Sequence, residues 1–273
     1  MIKKVAKNTL ILSLLVLYVG CSEFRKIQKS DDWKLKYDAA LKYYERKDYH
    51  RAVILFDQIN PYIRGSAEAE LVQFYNAYAH YYQKQYLLAS HYFKNFHDTY
   101  HRSEYAEEAY YMYGYSLYKQ SPIYNLEQSS TVEAITALQM FLNRYPGSKH
   151  RSEATHIQSE LRLKLEKKAY ENAKLYYTIG GRSLKSALIA LDNFRKDYPD
   201  ALMAEDASFL LVQASYKYAN ESIPSRQKER YYDCIEHYEE FIDSYPESKY
   251  IKEIQDFYSN SINQLEKLTE ETL

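Results

Sequence analysis

Cysteine is almost absent. Only Cys21 and Cys234 occur in 273 residues, too few for a disulfide framework. Glycine and proline are scarce as well, at six each. A sheet-rich fold of this length needs more turn residues than that. All six prolines (Pro61, Pro122, Pro146, Pro199, Pro224 and Pro246) fall between helix-like runs. Trp33 is the sole tryptophan. Net charge is nearly absent too, at a formal -1, and no basic patch is interleaved with aromatics, which argues against an electrostatic nucleic-acid binder. Gly-x-Ser-x-Gly, a phosphate loop and a reactive cysteine with a partner histidine are all missing. The chain reads as non-catalytic.

What is abundant is tyrosine, with 33 residues, and one motif built on it. Phe-x-x-x-Tyr-Pro occurs at Phe141 to Pro146, Phe194 to Pro199 and Phe241 to Pro246. A fourth copy, Phe96 to His101, lacks the proline. Phe and Tyr four apart share one face of a helix. Proline then cannot continue the helix, because it lacks the backbone donor and pushes the preceding residue out of the α region. A helix-ending device repeated every 45 to 53 residues marks a repeated unit.

The residues between these endings form helix pairs. Ala40 and Ala52 are twelve apart with Phe56 four further on, and Ala77, Ala89 and Phe93 repeat this 37 residues later. The pattern resembles the tetratricopeptide repeat, in which two small residues let paired backbones approach. Gly114, Ala134 and Leu138 continue it, as do Ala214, Cys234 and Tyr238, each with a proline-containing insertion of eight between the helices. The fourth unit has a long charged helix, 151 to 177, ended by Gly180-Gly181, then Ala187, Leu191 and Phe194. A last helix, 247 to 268, places Ile251, Ile254, Tyr258, Ile262 and Leu265 on one face, as an end cap should. The expected fold is therefore all-α, a tetratricopeptide-like α-solenoid of five helix pairs plus a C-terminal capping helix. It occupies residues 31–268 as a single domain, followed by a tail at 269–273. Cys234, in a small-residue slot, is expected to be buried.

The N-terminus carries a different signal. Lys3, Lys4 and Lys7 precede an apolar run, Leu10 to Val19, which ends at Gly20-Cys21. Ten residues are too few to span about 30 Å of hydrocarbon as a helix. A charged start, a short apolar core and a small residue before the cut describe an export signal, residues 1–20. Leu17-Tyr18-Val19-Gly20-Cys21 resembles a bacterial lipobox, which implies covalent lipid on Cys21 and no other cofactor. Ser22 fits sorting to the outer membrane. Residues 21–30 are then a polar tether of at most about 30 Å, keeping the first repeat near the membrane.

Within the tetratricopeptide register, a concave groove is lined by the first helix of each pair. The candidate peptide groove comprises Tyr37, Tyr44, Phe74, Tyr78, Tyr81, Tyr111, Tyr115 and Tyr118, with Leu41 and Tyr82 beside them. Tyrosine offers a large apolar face and one hydroxyl at low entropy cost, which suits extended peptides. Other motifs are weaker. His97 and His101 have a spacing that can hold zinc on a helix, but no third ligand is apparent, and they read as surface histidines. Glu107-Glu108 and Glu239-Glu240 diverge by about 100° on a helix and read as solvated faces.

A lipobox, a short tether and five repeats ending in Phe-x-x-x-Tyr-Pro resemble the BamD (ComL) family of lipoproteins, including Ala52 to Phe56 and Ala137 to Pro146. The resemblance implies a non-catalytic subunit of the β-barrel assembly machinery, on the periplasmic face of the outer membrane. It further implies that C-terminal repeats bind periplasmic domains of the barrel-forming subunit, while N-terminal repeats meet unfolded outer-membrane proteins. A periplasmic lipoprotein that binds glycan or peptidoglycan is the alternative, with tyrosines stacking on sugars. The short insertions and lone Trp33 weigh against it, and a zinc hydrolase would require metal in the purified protein. Cys21→Ser should move the protein from the membrane to the soluble fraction on cell fractionation. Persistence in the membrane would reveal a second anchor.

Overall fold

The computed structural model describes residues 23–270. Among the described residues there are helices and connections but no strand. The export signal, Cys21 and the last three residues lie outside them. The helices are α1 (23–29), α2 (Trp33–Glu45), α3 (Tyr49–Ile59), α4 (Ala67–Tyr82), α5 (Tyr86–Thr99), α6 (Ala106–Gln120), α7 (Ser129–Arg144), α8 (Arg151–Ile179), α9 (Leu184–Asp197), α10 (Ala204–Asn220), α11 (Pro224–Ser244) and α12 (Ile251–Glu270). Five pairs and a final helix are present, as the repeat pattern predicts. Residues 31–268, expected as one domain, contain two compact units. Unit 1 holds the described residues through Pro122 and Gln128–Leu161; unit 2 holds Ile123–Glu127 and the described residues from Arg162 onward.

In unit 1 the small-residue slots behave as expected. Ala40, Ala52, Ala77, Ala89 and Ala134 are fully buried, as are Phe56, Phe93 and Leu138 behind them. Gly114 marks the tightest approach: a Cβ there would stand 2.8 Å from Leu138 Cδ2 and 3.4 Å from the Leu138 backbone nitrogen. The first part of α8 closes the unit, with Ala154, Ile157 and Leu161 in the same core as Phe141. Gln158 Nε2 donates to the Ile135 carbonyl at 3.3 Å and to Gln139 Oε1 at 2.9 Å, fastening α8 to α7.

The turns inside the first two pairs are identical in design. Lys47 and Lys84 both adopt φ 61°. Asp48 N–H reaches the Tyr43 carbonyl and Lys47 N–H the Tyr44 carbonyl; Gln85 to His80 and Lys84 to Tyr81 repeat the pattern. This is a Schellman ending, with lysine in the left-handed position that glycine favours. The tether expectation needs correcting. Residues 23–29 are helical, because Phe24 and Ile27, three apart, pack onto the core of the first pair. Phe24 meets Tyr43 edge-on at 5.5 Å, and the Arg51 guanidinium lies 5.4 Å from the Phe24 ring.

The Phe-x-x-x-Tyr endings also differ from expectation in cause. The N–H groups of Tyr100, Tyr145, Tyr198 and Tyr245 bond the carbonyls of Phe96, Phe141, Phe194 and Phe241 at 2.8–2.9 Å. Each tyrosine ring packs on its phenylalanine, with centroids 5.2–5.7 Å apart. The copy followed by His101 ends in the same way as those followed by proline, with Tyr100 at φ -114°. Proline is therefore not what stops the helix. The ring pair and the next turn, closed by Ser103 N–H to Tyr100 O at 2.9 Å, do so without it.

In unit 2 the second part of α8 ends at Gly180 and Gly181, whose φ values of 69° and 52° need glycine. Ala173, Leu191, Phe194 and Leu211 build one core, and Val212, Cys234, Phe241 and Ile254 another. Cys234 is fully buried, as expected, and burial pushes its thiol up to about 11. Its partner differs from the expected Ala214. The Cys234 sulfur faces the Val212 carbonyl at 3.9 Å, while Ala214 packs with Leu191 and Phe194. The fifth-unit insertion is not a loop either: Pro224 opens α11, where its missing N–H costs nothing. The last helix starts at Ile251, four residues later than predicted, because 247–250 belong to the turn after Tyr245. Ile254 and Leu265 are its buried apolar contacts, with Ser261 between them.

Gly114→Ala separates helix propensity from packing. Alanine gains about 1 kcal/mol in a helix interior, but overpacking a full core costs about 1–3 kcal/mol. A net loss of about 1 kcal/mol is expected in denaturant unfolding; an unchanged or higher midpoint would mean that α6 and α7 can separate freely.

Candidate functional site

The candidate surface lies on α2, α4 and α6, the first helices of the three pairs in unit 1. Six of the eight expected groove residues are half-buried: Tyr37, Tyr44, Tyr78, Tyr81, Tyr115 and Tyr118. The other two are corrections. Phe74 is 5% exposed and Tyr111 4%, so both belong to the core. Each is covered by a ring from the turn after its own pair. Tyr105 stacks on Phe74 with centroids 4.6 Å apart, and His150 stacks on Tyr111 at 4.2 Å. Burying so large a ring yields about 2–3 kcal/mol, which outweighs leaving it for a ligand.

The remaining rings form a connected chain. Tyr49 stacks on Tyr82 at 4.8 Å, Tyr82 lies 5.7 Å from Tyr78 and 5.6 Å from Tyr81, and Tyr81 lies 6.2 Å from Tyr115. Tyr115 continues to Tyr118 at 5.8 Å. At the α2 end Tyr44 meets Tyr75 at 4.7 Å and Tyr49 at 5.5 Å. A recess of about 310 Å³ opens there, lined by Leu41, Tyr44, Tyr49, Tyr75 and Tyr82 together with Glu45 and Lys47. Tyr37, two turns before Tyr44, packs on the core of the first pair.

Carboxylates hold several hydroxyls. Tyr78 donates to Glu108, and Tyr118 donates to Glu160 at 3.0 Å. Tyr111 lies beside Glu153 without closing a hydrogen bond to it. Burial raises the Tyr44, Tyr78, Tyr81 and Tyr111 phenols well above the ordinary 10.0; neighbouring phenols add to this, as do Glu108 at Tyr78 and Glu153 at Tyr111. The ring chain is thus a neutral, weakly polar surface edged by acid.

Tyr49 and Tyr75 escaped the sequence reading. A signal for Tyr49 was present, since Asp48-Tyr49 and Gln85-Tyr86 occupy equivalent turns, and Tyr86 meets Tyr81 at 5.5 Å as Tyr49 meets Tyr44. Tyr75 carried none, because its neighbour Phe74 filled the predicted position. The histidine pair separates. His97 is buried rather than on the surface, stacked on Tyr110 at 4.0 Å with Nε2 3.2 Å from the Tyr145 hydroxyl; burial lowers its pKa. His101 lies beyond the helix end and is exposed. Among the described residues no three His, Cys, Asp or Glu side chains group as a metal site. Of the acid pairs, Glu108 serves Tyr78, and Glu240 pairs with Arg195 at 3.0 Å. No helix of the described residues is long and apolar enough to cross a membrane.

A family model for YfiO, described as an outer membrane lipoprotein, matches residues 30–181, more than half of the chain. The match covers all of the tyrosine chain and stops at the glycine pair after α8. No curated protein matches the sequence.

The buried phenols have a consequence in alkali. Their folded pKa values lie above the unfolded 10.0, so the stability they contribute is complete below pH 10 and is lost as pH rises through the folded values. Unfolding followed by circular dichroism should therefore show falling stability above pH 10, with Tyr78→Phe less sensitive than the wild type. A flat profile through this range would contradict the burial of these hydroxyls.

Proposed function

Because the chain belongs to the YfiO family of outer membrane lipoproteins, we propose that it is a non-catalytic subunit of the machinery that assembles β-barrel proteins in that membrane. Lipid on Cys21 holds it to the periplasmic face. Its task is to grip other polypeptides. Unfolded outer-membrane proteins are the clients of the aromatic surface of unit 1, and α9–α12 meet the periplasmic domains of the barrel-forming subunit.

The observation that carries this reading is the chain of half-exposed tyrosine rings across three successive helix pairs. A contiguous aromatic surface of this kind marks a binding face rather than a solvated one. An unfolded client offers side chains at intervals along an extended backbone. Rings that contact one another across α2, α4 and α6 provide a row of apolar faces for such a chain, with little rotamer entropy to lose. The docking of α1 on the first pair is consistent with an anchor close by, since residue 23 is only two positions from Cys21.

Tyr81, Tyr82 and Tyr115 are the residues to remove, because they join the ring chain from α4 to α6 and Tyr82 is 48% exposed. Replacing all three with alanine should weaken binding of an unfolded barrel-protein segment at least about tenfold while helicity is retained. Undiminished affinity in the triple variant would overturn the reading.

A further inference from the structure

The tyrosine surface is aromatic and also one-sided in charge. Glu108, Glu153 and Glu160 each stand at the hydroxyl of a tyrosine from the preceding helix or pair: Tyr78, Tyr111 and Tyr118. A phenol has one proton to donate, so a carboxylate that accepts it keeps its charge and its other oxygen. Glu153 and Glu160 are exposed. Glu45 edges the recess at the other end. Lys47 lines the same recess, and Lys119 lies over the Tyr115 and Tyr118 rings.

Lys119 indicates what the face accepts. Its ammonium lies 5.5 Å from the Tyr115 ring centre and 5.8 Å from that of Tyr118, next to the tyrosine that Glu160 holds. The chain's own cation thus occupies an aromatic face backed by a carboxylate. Ring quadrupole and acid both favour a positive charge there, and each disfavours a negative one.

We propose that this face selects extended polypeptide segments in which every second residue is either aromatic or a lysine or arginine, so that both kinds of side chain point the same way. The aromatic side chains lie on the tyrosine rings, and the cations are held between ring faces and Glu108, Glu153 and Glu160. The spacing matters because successive side chains of an extended chain point to opposite sides, so only every second residue meets this face. This rests on the reading of the face as a client surface and adds a charge preference to it.

The test uses the full chain in detergent micelles and two labelled short peptides, in which tyrosine and lysine, or tyrosine and glutamate, take turns at every second position with serine between them. The lysine peptide should bind at least about tenfold more tightly at low salt, and the difference should shrink as salt rises. Glu153→Lys with Glu160→Lys, both surface changes, should abolish or reverse the preference without loss of helicity. Equal binding of the two peptides, or a preference that survives the double variant, overturns the charge inference while leaving the aromatic surface standing. Failure of both peptides to bind overturns the client surface itself, and this inference with it.

Discussion

Paired helices can pack this closely only where a side chain is nearly absent from the line of contact. At Gly114 the facing leucine already occupies the position of a Cβ. The alanines at 40, 52, 77, 89 and 134 are fully buried for the same reason. Helices brought together in this way leave a thin core, filled by a few large residues per pair, such as Leu55, Phe56 and Ile59 in the first. A thin core cannot take every aromatic ring in so tyrosine-rich a chain. The surplus is displaced to the faces of the first helices, where the rings touch one another. The tyrosine surface is thus a by-product of backbone proximity.

The same economy governs the connections. Every pair but the first ends with a tyrosine folded back on a phenylalanine, and after three of these endings the following turn sends a ring over an aromatic of its own unit. Tyr105 on Phe74 and His150 on Tyr111 do this in unit 1, and Tyr250 on Phe209, at 4.0 Å, in unit 2. Aromatic stacking of this kind adds about 0.5–1.5 kcal/mol beyond the burial of area. Hydrogen bonds support it: Ser248 donates to Glu205 at 2.6 Å, and Tyr250 to Asp206 at 2.6 Å. Rings committed to these locks are withdrawn from the surface, and those left uncovered are what a partner can reach.

Membership of an outer membrane lipoprotein family agrees with a chain of helix pairs that present aromatic faces. The acid at the edge of the tyrosine row gives that surface a sign. A scaffold that was only sticky would bind any exposed apolar chain. On the charge preference proposed for this face, carboxylates at tyrosine hydroxyls would supply discrimination, since like charge repels as effectively as unlike charge attracts.

Helix class, the number of pairs, the small-residue slots and the burial of Cys234 were legible in the sequence, because each depends on spacing along one or two neighbouring helices. Periodicity of 3.6 and a repeat of fixed length encode such contacts locally. The docking of 23–29, the shift from Ala214 to Val212 opposite Cys234, and the loss of Phe74 and Tyr111 to the core were not legible. Those outcomes depend on which ring arrives from a later turn, and a ring 31 or 39 positions along leaves no periodic trace at the residue it covers. Sequence by itself determined that there would be paired helices with tyrosine to spare. Tertiary structure alone decided which tyrosines stay uncovered, because exposure belongs to the whole packed surface and not to any one residue's neighbours in the chain.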